Sequence, residues 1–437
     1  MQPSVAALPS VGGRSGSLGR QVLFAFVLFS LCSNATRVAG QGIIVSAGGA
    51  VNRSMGGAAT AAPLDAMGAI YWNPATISGL ADNQVDFSLD LLVANHSVAS
   101  SAGPFGGSTD AEAGAVPIPN VAWTHRAKNP AITFGLGVNG IAGFKTNLLS
   151  DPTNPVLTPP PTGLGRVSAE ATFLQLAPVL SIALTDRLSV AGGPTVTTGQ
   201  LGVEPFVFDA PNTNGYSAGR ATRYHWGGGF QVGGYYIYSP TLRFGASLKS
   251  PTWMERFEFY GQDAVGGPRI LTADIDLPLI LSLGASLKAS NRLLVALDVR
   301  FVDFGNTAGL GDPATFDATG KLLGLDWSSV LATALGVQYS LAPSLDLRGG
   351  YTFNQNPVSD NEAFFNVASP LIYQHMLSGG SSLRISDSTS LNLAYSYMLD
   401  NSRTGPIFAP GVGAVPGTSI TNSLNAHFFS FGMSIRH

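Results

Sequence analysis

The residue types that most often carry covalent or metal chemistry are scattered in this chain. Its histidines, His96, His125, His225, His375, His427 and His437, stand singly. None falls in an HExxH or GxSxG pattern or at metal-ligand spacing, so a zinc hydrolase, a serine hydrolase and a metal centre all lack their residue set. The single cysteine, Cys32, supplies no disulfide framework. No catalytic residue, metal ligand or cofactor site is therefore assigned.

What the spacing offers instead is recognition and backbone shaping. In "AITFGLGVNGIAGF", Gly135, Gly137, Gly140 and Gly143 crowd one stretch. Glycine in a strand marks a bulge or a place where another group comes close. In "LGVEPFVFDAP" and "RFEFY", Phe206, Phe208, Phe257, Phe259 and Tyr260 fall on segments expected to face water. Apolar surface there commonly means binding; the alternative is that these rings pack the segments into a lid. In "AMGAIYWNPATISGL", Asn73 can accept from a free backbone N–H and Pro74 suits the first helical position, so Asn73-Pro74-Ala75 predicts a short helix ending near Gly79. A water channel would set the same triplet in a helical bundle. That needs runs of roughly 18 or more apolar residues, and none occurs after Gly40.

The elements that must position these residues read as strands. Only 11% of the 437 residues are charged and 53 are glycine, against roughly 25% charge and about 7% glycine in ordinary soluble domains. Lys and Arg number 23 against 26 Asp and Glu, without a basic cluster, which excludes nucleic acid as a partner. Residues 1–40 read as a signal peptide: Arg14 and Arg20 precede the apolar run from Val22 to Leu31, and Val38-Ala39-Gly40 offers small residues for cleavage. Cys32 lies inside it in "FSLC", a poor lipid-attachment signal.

After residue 84 the chain alternates. In "LLVALDVRFVD", Leu293, Val295, Leu297, Val299 and Phe301 share one face while Ala296, Asp298 and Arg300 share the other. "LDLRGGYTF", "SLNLAYSYM" and "LRFGASLK" repeat the pattern. Strands are expected near 85–97, 119–126, 131–142, 169–184, 188–200, 222–238, 242–256, 272–289, 293–303, 328–341, 345–353, 373–385, 390–398 and 425–436. A soluble all-β repeat protein would alternate too. The connections favour a membrane, because short turns ("AKNP", "TDR", "SPT", "ASNR", "APS", "SDST") alternate with long loops, as periplasmic turns and extracellular loops do in outer-membrane barrels. The fold class is all-β: a transmembrane antiparallel barrel of about 14 strands over residues 85–437, both ends periplasmic. Residues 41–84 are too rich in glycine and alanine to line hydrocarbon, so another element must hold them.

The stretch "SAGGAVNRSMGGAATAAPLDAMGAIYWNPATISGL" resembles the N-terminal signature of the FadL/TodX family of outer-membrane transporters of hydrophobic compounds. "LRFGASLKSPTWMERFEF", "LPLILSLGASLKASNRLLVALDVRFVDFGNT" and "WSSVLATALGVQYSLAPSLDLRGGYTFNQNPVSD" resemble later family blocks in order. The resemblance implies that residues 41–84 form a hatch plugging the lumen. It also implies that the glycine-rich third strand is kinked beside a hole for lateral exit, and that the two aromatic loops form a capture groove. A fatty-acid carboxylate would need a cation in the lumen; Lys145, Arg166, Arg256 and Lys321 are the candidates, whereas a neutral hydrocarbon would need none. The expected partners are a hydrophobic small molecule, outer-membrane lipid and lipopolysaccharide, and the barrel insertion machinery, with the chain a monomer. A general porin and a barrel used as an assembly or secretion partner are the alternatives. One departure is the end: family members commonly finish on an aromatic residue, whereas His437 follows the alternating Phe429, Phe431, Met433 and Ile435 here.

Overall fold

A computed structural model describes residues 42–437 apart from residue 264; the expected signal peptide and its cleavage point lie outside the described residues. Fourteen long strands form the wall: β1 Gln84–Ala102, β2 Ala115–Arg126, β3 Ile132–Leu148, β4 Val167–Ala183, β5 Leu188–Glu204, β6 His225–Ile237, β7 Leu242–Lys249, β8 Ile280–Lys288, β9 Leu293–Val302, β10 Val330–Ala342, β11 Leu345–Asn354, β12 His375–Arg384, β13 Thr389–Gly405 and β14 Thr418–Arg436. Each pairs antiparallel with its chain neighbours, and β14 pairs with β1 from Gln84 opposite Arg436 to Ala102 opposite Thr418, closing the barrel. Closure leaves the wall no free edge to satisfy in lipid.

The alternation sorts side chains as a membrane requires. On β1, Asp86, Ser88 and Asp90 are buried inward while Phe87 and Leu89 face out. On β9, Asp298 and Arg300 are fully buried. Around the circumference Phe134, Leu176, Leu283, Leu393 and Phe431 are exposed. A soluble protein would expose no such continuous apolar band.

Strand ends depart from the sequence reading where proline or polar pairing intervenes. The strand expected over 242–256 stops at Lys249 before Pro251, and the one expected from 272 starts at Ile280 after Pro278, since proline cannot donate to the ladder. In the other direction, β13 runs on to Gly405 and β14 begins at Thr418. There "DNSRTG", which reads as loop by its polarity, pairs as Asn401–Gly405 against Ile420–Leu424 beyond the apolar band.

Inside the wall lies the segment that precedes β1. It forms two short helices, α1 Gly49–Ser54 and α2 Ala66–Trp72, and a 3-10 turn, Pro74–Gly79. Its residues from Gly42 to Ala62 are all buried, and no helix of the described residues is long and apolar enough to cross a membrane.

Candidate functional site

The inner segment is bolted to the wall by carboxylates that project inward from the strands. Asp298 Oδ2 accepts from the backbone N–H groups of Ala59 and Thr60 at 2.9 and 3.0 Å and from the Thr60 hydroxyl at 2.8 Å. The same oxygen accepts from Arg300 at 2.6 Å, and Arg300 also donates to the carbonyl of Gly57. Asp86 accepts from Ala66 and Met67 at the start of α2. Arg53 of α1 meets Asp90 at 2.7 Å with both side chains fully buried. The alternation placed Asp298 and Arg300 on the inward face, but nothing local in the sequence pointed to their partners more than two hundred residues away.

Asn73 sits at the seam between α2 and the 3-10 turn. Its Oδ1 accepts from Ala75 N–H at 3.1 Å, capping the turn that Pro74 opens. Its Nδ2 donates to the carbonyls of Thr60 and Gly234, at 2.8 and 2.9 Å, so one side chain ties two parts of the segment to β6. The wall comes this close because it carries glycine. A Cβ at Gly233 would collide with Asn73 Oδ1, and one at Gly245 with the carbonyl of Thr60.

The four glycines of β3 fall into two groups. Gly135 and Gly137 lie under α2, where a Cβ would meet Ile70 and, at Gly135, Val179. They lie within the paired part of the β2–β3 ladder, which runs from Arg126–Thr133 to Asn120–Asn139 and stops. Gly140 and Gly143 lie above that end, and the β3–β4 register shifts between Gly140 and Ala142. Of the three glycines expected on the lateral-opening strand, Gly135 and Gly137 thus make room for α2, and Gly140 stands at the end of the ladder. Across the break Pro117 and Pro119 of β2 have no N–H to offer β3. The inner segment supplies the missing pairing instead. Val45 N donates to the carbonyl of Ile141 at 2.9 Å, and Gly143 N donates to the carbonyl of Ile43 at 3.2 Å. Higher up, Glu112 N bonds the carbonyl of Asn147 and seals the top of the break.

Three apolar cavities adjoin one another. The first lies among the loops between Phe144, Leu164, Phe208, Phe316, Phe364 and Phe365. The second, in the lumen, shares Ile43 and Phe144 with the first and includes His96 and Tyr373. The third occupies the break in the wall, shares Leu92, Val116 and Gly143 with the second, and has a volume of about 360 Å3.

The structure brings together four of the five loop aromatics. Phe206 and Phe259 rings are 4.7 Å apart, Phe208 lies 5.9 Å from Phe206, and Phe257 packs edge-on to Phe173 of β4. Phe206, Phe257 and Phe259 are buried in the loop core rather than exposed to water, and strand pairing of Phe257–Gln262 with Pro268–Ala273 folds Phe257 and Phe259 inward. Only Phe208 of the five lines the first cavity, while Tyr260 is 59% exposed and points away.

Of the four expected lumen cations, three lie on the loops and one, on β3, borders the second cavity. Arg256 is exposed and held by both oxygens of Asp274, whose hydrogen bond pushes its guanidinium up. Arg166 pairs with Glu204 at 3.3 Å, and Lys321 closes an exposed turn whose first residue is Asp317. Lys145 reaches the rim of the second cavity but is spoken for by Glu170 at 3.5 Å. Among the cations that do enter the lumen, Lys249, Arg300 and Arg348 stand on the inward strand faces that alternation marks, and Arg53 comes from α1 of the inner segment.

A family profile described as outer membrane protein transport protein (OMPP1/FadL/TodX) matches residues 29–436. Solved structures share the fold. The toluene transporter TodX of P. putida is 17% identical, with 90% of this chain and 99% of that one covered and a TM-score of 0.66. A Pseudomonas aeruginosa FadL homologue is 14% identical over 90% and 99% of the two chains, with a TM-score of 0.70. The Ralstonia pickettii toluene transporter TbuX is 17% identical over the same shares, with a TM-score of 0.64. A comparison with curated proteins gives no match.

Proposed function

The chain belongs to the FadL/TodX family of outer-membrane transport proteins, and from that premise we propose that it admits apolar small molecules passively and releases them sideways into the membrane. The observation that carries the reading is the adjoining of the three cavities: loops, lumen and wall break share lining residues in sequence. An apolar ligand leaving straight down would expose its surface to water at roughly 25 cal/mol per Å2. Leaving through the break keeps that surface in a nonpolar medium.

In this reading the short-turn end of the barrel, where Gln84 and Arg436 meet, faces the periplasm, and the loop cavity opens among lipopolysaccharide. The chain works as a monomer, inserted by the barrel assembly machinery. Movement follows the concentration gradient, so the reading involves no catalytic step. The toluene transporters among the solved structures support a hydrocarbon-sized ligand.

Cells that express the chain should accumulate a labelled apolar compound such as toluene or a long-chain fatty acid faster than cells lacking it. Equal accumulation for every apolar compound tried would sink the proposal in favour of an assembly partner. Deleting residues 46–80 should turn the barrel into an ion-conducting pore in planar bilayers. The same closed baseline as the intact protein would mean that the segment is not the plug.

A further inference from the structure

The outer face of the barrel changes from apolar to charged just above the break in the wall. On that face Leu176 of β4 stands opposite Val196 of β5, and both are exposed. Toward the loops, Leu174 meets Thr198, Thr172 meets Gln200, Glu170 meets Gly202 and Ser168 meets Glu204. On the other side of β4, Lys145 of β3 lies opposite Glu170 and Asn147 opposite Ser168. Side chains two residues apart share a face. The charged rungs therefore stand over the apolar band, at the level of lipid headgroups, while the buried Ala169, Ala171 and Phe173 point the other way.

A cavity of about 510 Å3 opens among these rungs, and three cations, Lys145, Arg166 and Arg220, meet three carboxylates, Glu112, Glu170 and Glu204, around it. Lys145 lies 3.5 Å from Glu170 and Arg166 lies 3.3 Å from Glu204, with all four side chains at least 38% exposed. Ion pairs this exposed hold weakly and exchange partners readily. Arg220 and Glu112 are exposed and have no ion-pair partner among the described residues. A phosphate accepts from guanidinium groups in their preferred forked geometry. The carboxylates it displaces then hold a divalent cation, whose oxygen ligands include both carboxylate and phosphate. A phosphate alone would leave three acids facing it, and a cation alone three bases, so the mixed field fits an occupant that brings both.

Directly below lies room for a chain. Thr172 lines both this charged cavity and the apolar cavity of about 360 Å3 in the wall break. The apolar one reaches the outside of the barrel at Leu174 and Trp226; Trp226 is the register partner of Thr198 and is exposed on the same face. A polar chamber stacked on an apolar slot matches a lipid whose head is phosphorylated and whose tail is acyl. In the outer leaflet of an outer membrane that lipid is lipopolysaccharide, a phosphorylated, acylated sugar held together by divalent cations.

We propose that the outer face of β3, β4 and β5 holds one lipopolysaccharide molecule, its phosphate on Arg166, Arg220 and Lys145, a divalent cation joining it to the neighbouring carboxylates, and an acyl chain laid over the break in the wall. This rests on the orientation given above, with the long loops outermost, and not on what the barrel carries. The test uses the full barrel purified in mild detergent with magnesium present, and native mass spectrometry to read the bound fraction. Its probes are lipid A, the phosphorylated acylated disaccharide of lipopolysaccharide, the same disaccharide with its phosphates removed, and phosphatidylglycerol.

The unaltered protein should bind lipid A about tenfold or more tighter than either other probe, the range of a charge-assisted hydrogen bond, and chelation of magnesium with EDTA should remove the difference. Arg166→Gln with Arg220→Gln should lower lipid A binding by about the same factor and leave heat-modifiable gel mobility normal. Arg220→Gln alone breaks no ion pair of the barrel and should already weaken binding, whereas Arg403→Gln, on β13 away from the cavity, should not. The site is overturned if the phosphate-free disaccharide or phosphatidylglycerol binds as tightly as lipid A, if EDTA changes nothing, or if the Arg220→Gln and double variants bind like the unaltered protein. Each of those results leaves the transport reading standing, because uptake is not what is measured.

Discussion

Asn73 is the residue on which the inner segment's local structure converges, and its contacts set what its loss would cost. Removing the cap alone costs about 1 kcal/mol. Asn73→Ala would also strip the carbonyls of Thr60 and Gly234 of a donor, at roughly 1 to 3 kcal/mol for the buried Thr60 carbonyl left unsatisfied. The variant should insert as a normal barrel and yet show flickering leak currents; a silent baseline would refute the role. The cap was legible because Asn before Pro is local helix-entry chemistry. The two donated bonds were not, since they depend on glycines at 233 and 245 in strands far along the chain. A second residue lies in the loop between β11 and β12, whose Phe364 and Phe365 form a lid over the first cavity. Burial, then the nearby charge of Asp326, raises the Glu362 carboxyl above its usual range, so the lid loses stability as pH rises through that raised value and keeps all of it below the unfolded value of about 4.3. Glu362→Gln should therefore slow amide exchange across residues 359–369 relative to the unaltered protein at pH 7 and make no difference at pH 4. The opposite order would reject the burial argument.

Among elements, the wall strands were legible nearly throughout because period-two alternation is a local signal and each wall strand carries it. Their ends were less so. Alternation continues past the apolar band in β13 and β14, where polar residues pair in water, and proline stops β7 and delays β8 where the pattern alone would run on. How α1 and α2 meet those strands was not legible at all, because Asp86 meets backbone N–H groups that carry no side-chain signature and Asp90 meets Arg53 across 37 residues with no local pattern joining them. Asp298 is the most connected of these attachments. Asp298→Ala would free the backbone of Ala59 and Thr60 and leave Arg300 buried without its counter-charge, a change that costs about 3 to 5 kcal/mol when a buried pair is broken. The barrel's strand pairing does not depend on it. Protease cleavage within residues 55–65 should therefore rise while heat-modifiable mobility stays normal; resistance equal to that of the intact chain would show that the carboxylate is not a clamp.

At the scale of the whole molecule, a closed sheet with an apolar outer band is interrupted between β2 above Pro119 and β3 above Gly140, and the inner segment fills part of that interruption with its own backbone. The glycine cluster of β3 flagged this strand, but separating the glycines that admit α2 from those at the break required the packing of Ile70 and Ile118 against them. The central claim is that apolar ligands leave through this break. Position 140 offers a direct lock, because a Cβ placed there would stand 3.7 Å from Ile118 Cβ, within the range a disulfide spans. Ile118→Cys with Gly140→Cys should fold and insert, and uptake of a labelled apolar compound should fall severalfold when the pair is oxidised and return on reduction with dithiothreitol. Uptake that stays at the unaltered rate with the cross-link shown to be complete would contradict the account and leave an exit through the periplasmic end of the barrel.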